Sequence, residues 1–416
     1  MNMFYTGLGI ARSLGERGIP VIGLNAHPRA YGNYTRYARV KRAPDSRAQP
    51  EELLKFLLEL APALRAPAII FPTRDDDVLF LDRFREELGR LYIPAIPGKV
   101  PLDICLDKWK TFLEAERTQI PAPRCWAIRS RAELEQILTS VVFPCVLKPQ
   151  SAHHWRRSNV WELVGGRKAI PVSSPGQLVT EYKMISRVET RVLLQEMVAG
   201  GDDSLYVAAC YFDRSGRFVA GFTAQKLLQV PAGFGTGCIV QTVYRPDLLE
   251  KARTLLGQIG FSGIAEVEFK KDSAASEYKL IEINPRPWDQ HVLGKACGLD
   301  LIHLAYCDLA GLARPAIGTQ RTGQKWVAED VYGLVLLRAA VKRSGEFRRF
   351  LRLARGERVY PIQSLRDPLP FVALLVLGLV PDLSRLFVQW VRKCLGNSGK
   401  RPAEKEVRYG FETAKR

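Results

Sequence analysis

Two β-strand patterns facing each other across a five-residue turn constrain this chain more than any other feature. "IAEVEFKK" (residues 264–271) and "EYKLIEIN" (277–284) alternate apolar and polar residues, and "DSAAS" between them reads as the turn of a hairpin. Closing that turn sets Glu268 nearly opposite Glu282. Period two puts Glu266 and Glu268 on one face, and Glu282 and Asn284 on one face of the partner strand. Carboxylates facing each other on a sheet repel unless a cation lies between them.

Two readings compete for this arrangement. One is an exposed carboxylate pair beside Lys270 and Lys279. The other is a hard oxygen set, Glu268, Glu282 and the Asn284 amide oxygen, which suits Mg²⁺ completing its shell with water and phosphate oxygens. The sequence that follows, "PRP", favours the second. Arg286 is held between Pro285 and Pro287, whose rings restrict the backbone, so its guanidinium is fixed where it can fork onto a phosphoryl or carboxylate group.

Other segments add to this. "VLKPQ" places Lys148 at the exposed end of an apolar strand, as a point charge able to reach phosphates. "LLQEMVAGGDD" ends a strand in a polar turn. The backbone of Glu196 to Val198 can pair with an adenine edge, Met197 and Val198 give apolar cover, and Asp202 or Asp203 can accept from ribose hydroxyls. Lys108 in "LDKWK" is by itself an ordinary solvent-facing helical lysine.

The order Lys108, "VLKP", "QEMVAGGDD", "VEFK", "LIEINPRP" resembles the ATP-grasp superfamily, over about residues 7 to 312. Within it, "GLGIARSLGERGIPV", "FPTRDDDVLFL" and "EINPRPWDQH" are most similar to carboxylate–amine ligases of the D-aspartate ligase type. The resemblance implies ATP and Mg²⁺ as cofactors. It implies Lys108 and Lys148 on the phosphates, Glu196, Met197 and Val198 as the adenine hinge, and Asp203 on the ribose. It further implies Glu268, Glu282 and Asn284 on the metal, Arg286 on the transferring phosphoryl group, and Lys226 near the acceptor. The chain departs from the family after Lys148. Where many members carry a glycine-rich loop, it has "KPQSAHHWRRSN", whose Ser151, His153, His154, Arg156 and Arg157 could donate to phosphate instead.

The implied fold is α/β followed by α+β. An N-terminal parallel α/β domain (1–105) precedes two α+β subdomains (106–195 and 196–315) that clamp ATP, and a mostly helical basic extension (316–416) follows. "MNMFY" leaves room for only a very short first strand, or the start is truncated. "TRDDDV" reads as an acidic loop that, with "HHWRR", could line the acceptor site. Gly7, Gly9 and Gly15 miss the G-x-G-x-x-G spacing, because position 12 is Arg, so they are expected to serve turns and helix packing rather than NAD.

The net charge of +18 points to anionic partners, and from Arg338 to Arg416 there are 18 Lys+Arg against 7 Asp+Glu. Eight scattered cysteines without a C-x-x-C pair exclude a zinc ribbon. With no apolar h-region in residues 1 to 20, the expectation is a cytoplasmic protein with free thiols. "PLPFVALLVLGLVP" (368–381) is too short to span a bilayer. "DLSRLFVQWVRKCLG" gathers Leu383, Leu386, Phe387, Trp390, Val391, Cys394 and Leu395 on one helical face with basic flanks. That pattern suits an anionic membrane surface, hence a peripheral position on the inner face, or alternatively packing on the body or a dimer interface. The function expected is an ATP-dependent ligase joining a small carboxylate to an amine, with a cell-envelope precursor as a candidate substrate and a homodimer as a candidate assembly. Carboxylase-type or kinase chemistry is the alternative. A nucleic-acid protein is disfavoured, because the tail aromatics fall on an apolar face rather than among the basic residues.

Overall fold

The structure, a computed structural model, describes residues 1–64, 66–155, 158–341 and 345–379. The N-terminal part carries two parallel strand pairs, β1 (Ile22–Asn25) with β2 (Arg39–Arg42) and β3 (Ala68–Ile70) with β4 (Tyr92–Pro94). Helix α1 (Tyr5–Gly15) precedes them, and α2 (Pro50–Leu60) links β2 to β3. Residues 1–4 form no strand, yet they lie where a central one would run. The Asn2 N–H donates to Leu24 O at 2.6 Å, and the terminal amine donates to Phe71 O at 3.0 Å. The first strand is thus reduced to single hydrogen bonds bridging the two pairs.

"TRDDDV" is not a loop. Asp75–Arg83 form helix α3, with three aspartates in its first turn, where the helix dipole favours negative charge. Asp77 reaches back to the Thr73 and Arg74 N–H groups at 3.1 Å each, closing a cap.

The next part is a four-stranded sheet in the order β5 (Cys125–Ile128), β8 (Val192–Glu196), β6 (Cys145–Pro149), β7 (Ile170–Val172). The largest sheet has seven strands, β13-β12-β9-β10-β11-β14-β15. Its strands are β9 (Leu205–Phe212), β10 (Phe218–Val230), β11 (Thr236–Thr242), β12 (Gly263–Asp272), β13 (Glu277–Asn284), β14 (Lys325–Val327) and β15 (Arg358–Val359). The two expected strand pairs, β9–β10 and β12–β13, are both antiparallel.

Alternation explains how this sheet holds a site. On one face Ala208, Cys210, Phe212, Ala265, Val267 and Phe269 bury against Leu248, Ala252, Leu255 and Leu256 of the helix Pro246–Gln258. Each fully buried large side chain there contributes roughly 1.5–3 kcal/mol. One residue out of phase, Glu266 and Glu268 face the other side.

Gly9 serves packing. A Cβ there would lie 2.5 Å from Val292 Cγ1 and 2.7 Å from His291 Nε2, so only glycine lets α1 press on the segment after Arg286. The tail supplies two short strands and the helices Glu329–Val341, Glu346–Leu353 and Leu369–Ala373, continuing in a π-helix through Leu379. Among the described residues no helix is long and apolar enough to cross a membrane. The amphipathic stretch 383–395 lies outside the described residues. The seven described cysteines are free thiols.

Candidate active site

The hairpin register sets the chemistry. Glu268 pairs with Glu282 and Glu266 with Asn284, so three carboxylates and one amide share a face. The Asn284 amide nitrogen donates to Glu266 Oε2 at 3.0 Å and to Glu282 Oε1 at 3.4 Å, so neither contact uses its oxygen. Two lysines answer the carboxylates. Lys108 Nζ lies 2.7 Å from Glu282 Oε2, and Lys226 Nζ lies 2.7 Å from Glu268 Oε1. Lys108 holds the Glu282 carboxyl well below the usual carboxylate range. Burial, and then the charge of Glu268, push the Glu266 carboxyl up to about 8.

Lys148 stands near the end of β6, but buried at 7% exposure rather than at an exposed strand end, with its amine 5.3 Å from the Phe112 ring centroid, and Lys108 likewise turns inward onto Glu282 rather than to solvent. Burial and the neighbouring Lys108 lower Lys148 to about 8. Lys108 is paired with Glu282, whereas Lys148 has no ion-pair partner among the described residues, so its charge is uncompensated. Their approach is built by the backbone. Lys108 N–H donates to Gln150 O at 2.9 Å, and Gln150 Nε2 donates to Asp107, the N-cap of the helix Lys108–Arg117.

Arg286 is fixed from outside the hairpin. Its Nε donates to Asp75 Oδ1 at 2.7 Å, and its Nη1 to Pro287 O at 3.2 Å. Asp75 opens α3, so the acidic segment does reach the site, as a helix start rather than a loop.

The chain's overall architecture overlays solved proteins. A biotin carboxylase from Campylobacter jejuni, solved as a β,γ-ATP complex, superposes with a TM-score of 0.62 at 17% identity, over 78% of this chain and 73% of that one. An N5-carboxyaminoimidazole ribonucleotide synthetase in complex with ADP gives 0.62 at 13% identity, over 82% and 84%. The chain has the ATP-grasp fold.

No protein-family model matches the chain. In sequence the chain is similar to a D-aspartate ligase of Enterococcus faecium, 22% identical over 298 residues, which covers 69% of each chain. It is also similar to a D-alanine–D-alanine ligase of Pseudomonas fluorescens, 23% identical over 244 residues, covering 53% of this chain and 69% of that one.

The residues fit a magnesium–nucleotide. The carboxylate and amide oxygens are hard ligands, and their crowding is what a divalent cation relieves. Among the described residues no three His, Cys, Asp or Glu side chains stand close enough to hold a metal unaided, so the ion would share phosphate oxygens.

The remaining expected residues sit as follows. Glu196 ends β8, its carboxylate engaged by the Arg124 N–H at 3.1 Å and Lys279 at 3.2 Å, while Met197 is half-buried and Val198 buried. Asp202 is taken up by the Gln229 and Gly233 N–H groups, which leaves exposed Asp203 as the aspartate with a carboxylate turned to solvent. His154 is buried, its Nδ1 3.9 Å from Glu189 Oε2, so it faces inward rather than toward phosphate. Ser151 is buried too, Arg156 and Arg157 lie outside the described residues, and the same holds for the His153 side chain. Glu266 and Asp75 were not assigned from sequence. The alternation already placed Glu266 on the site face, whereas nothing local announced the Asp75–Arg286 pair.

Proposed function

We propose that this chain is an ATP-dependent carboxylate–amine ligase. The observation carrying the reading is the β12–β13 register, which opposes Glu268 to Glu282 and Glu266 to Asn284 within reach of Lys108, Lys226 and Arg286. The likeness to D-aspartate and D-alanine–D-alanine ligases supports the same reaction class.

In this reading Lys108 and Lys148 hold the ATP phosphates, and the Glu196–Val198 backbone receives adenine under the cover of Met197 and Val198. Asp203 accepts from the ribose. Glu268, Glu282 and Asn284 hold Mg²⁺, which when bound offsets charge on the phosphoryl oxygens. Arg286 steadies the γ-phosphoryl group as it passes to the substrate carboxylate, releasing ADP. A neutral amine then attacks the acylphosphate carbonyl near Lys226, phosphate leaves, and an amide forms. The activation is needed because oxide is a poor leaving group from a carboxylate.

The substrates are small acids and amines, and the extension meets an anionic membrane surface. Arg348, Arg349 and Arg352 are exposed on one short helix, and Leu365, Leu369, Val372 and Val376 are exposed in the following segment.

The test is phosphate release from Mg-ATP across a panel of paired acids and amines, with and without anionic vesicles. Release that needs both partners is expected. Release with bicarbonate alone, or with an acid and no amine, would overturn the ligase reading.

A further inference from the structure

A cavity of about 310 Å³ opens where three parts of the fold meet, and none of the residues assigned above to the nucleotide or the metal lines it. Its size falls at the lower end of small-molecule sites, roughly 300–1,000 Å³. Ile93 of β4 forms one wall, Ile264 of β12 a second, and Leu309 of the helix Leu301–Leu309 a third. Phe71, just past β3, and Pro287, just past Arg286, complete it. Alternation explains the apolar floor. Ile264 lies two residues before Glu266 and so shares its face of the sheet, but there the strand carries a hydrocarbon instead of a carboxylate.

Two guanidiniums line the cavity and no carboxylate does. Arg85 is compensated. Its Nε and Nη2 donate to Asp82 Oδ1 at 3.1 and 2.8 Å, and Nη2 also donates to Pro97 O at 2.8 Å. Arg214 is not. Its Nη2 donates to Leu309 O, which fixes the head group at the cavity, and it has no ion-pair partner among the described residues. The carboxylates beside it are taken. Asp213 pairs with Arg217 and Arg314 at 3.3 and 2.9 Å, while Asp308 pairs with Arg314 and accepts the Tyr211 hydroxyl at 2.7 Å.

Apolar walls with one uncompensated cation define the complementary ligand. Water finds few partners against such walls, so an apolar body that displaces it gains free energy. A guanidinium donates to a carboxylate as a fork, which orients the bound group.

We propose that this cavity binds a small organic acid, its apolar body between Ile93, Ile264 and Leu309 and its carboxylate on Arg214, at a site separate from the magnesium–nucleotide site. That carboxylate is not the one a ligase would activate. Phe212, two residues before Arg214, pairs with Gly263, which lies three residues and about 10 Å of strand from Glu266. The proposal therefore stands apart from the ligase reading.

The test is isothermal titration of the full chain with 3-phenylpropionate. 3-Phenylpropanamide serves as its uncharged counterpart and acetate as the head group alone. 3-Phenylpropionate is expected to bind, and the amide and acetate to bind roughly tenfold more weakly or worse. Arg214→Gln, a change at an exposed residue, should weaken 3-phenylpropionate by about tenfold or more. Ala95→Phe, whose ring would occupy the space that Ala95 lines, should abolish its binding. Both variants should bind a non-hydrolysable Mg-ATP analogue as the parent does, and saturating analogue should leave 3-phenylpropionate bound. No binding of 3-phenylpropionate, equal binding of the amide, undiminished binding by the Arg214→Gln chain, or displacement by the analogue would overturn the proposal.

Discussion

Arg12 and Asp367 form the buried contact most exposed to a quantitative test. Their side chains are 10% and 1% exposed, with Arg12 Nε 2.9 Å from Asp367 Oδ2. Arg12 also donates to Pro361 O, Ile362 O and Asp367 O at 2.8, 2.7 and 3.1 Å, while Asp367 accepts from Thr35 Oγ1 at 2.6 Å and the Arg36 N–H at 3.0 Å. Asp367→Ala leaves a buried guanidinium uncompensated, a loss of about 3–5 kcal/mol. Arg12→Ala costs about the same for the stranded carboxylate and additionally strips a donor from three carbonyls, at about 1 kcal/mol each. Arg12→Ala should therefore be the worse substitution. The double variant should cost less than the sum by several kcal/mol, because the charge penalty is counted once. Urea unfolding followed by tryptophan fluorescence measures this. With a slope of about 3 kcal/mol/M, Asp367→Ala should lower the midpoint by about 1 M or more. A midpoint within about 0.2 M of the parent, or simple additivity in the double variant, would refute the buried-pair argument.

Three further outcomes follow from the site. Glu282→Ala should cut phosphate release from Mg-ATP at least about 100-fold, and undiminished release would remove Glu282 from the metal set. Because Lys148 is lowered to about 8 and nucleotide binds its charged form, ATP affinity should be flat below that pH and fall about tenfold per unit above it, a break that Lys148→Met should abolish. The same lowering penalises the ligand-free fold fully below pH 8. That penalty is relieved toward the unfolded value of 10.5, so the stabilisation by Mg-ATP in thermal melts should shrink across this window. Gly9→Ala, whose Cβ meets Val292 and His291 at 2.5 and 2.7 Å, should cost about 1–3 kcal/mol, and an unchanged thermal midpoint would show that α1 is not held there by close packing.

The hairpin was legible because two physical signals agreed. A period-two pattern fixed the faces of β12 and β13, and a five-residue turn fixed their register, so the Glu268–Glu282 pairing followed from arithmetic. Lys148 was legible for a similar reason, an apolar strand ending in a charge. The start of α3 was misread as a loop, although three aspartates in a first turn are a helix N-terminus signal that could have been used. β14 and β15 are three and two residues long, too short for alternation to register. The Arg286–Asp75 contact joins positions 211 apart, and the Tyr5–Asp330 contact joins positions 325 apart. No local pattern encodes such pairs, which come from how the sheets are stacked.

The site's charge balance bears on how a nucleotide finds it. Lys108, Lys148, Lys226 and Arg286 stand against Glu268, Glu282 and Asp75, while the Glu266 carboxyl, pushed up to about 8, is mostly neutral at pH 7, so the site carries only about one net positive charge. Such a pocket projects little field beyond a Debye length, about 8 Å at physiological ionic strength. Most of the chain's +18 lies elsewhere, +11 of it after position 337, where 18 basic residues stand against 7 acidic ones. Association of free ATP should therefore be nearly indifferent to salt. Under the proposed reading, the tail's charge would draw the chain to extended polyanionic surfaces instead, so encounter with a surface and capture of the nucleotide would be governed by separate parts of the molecule.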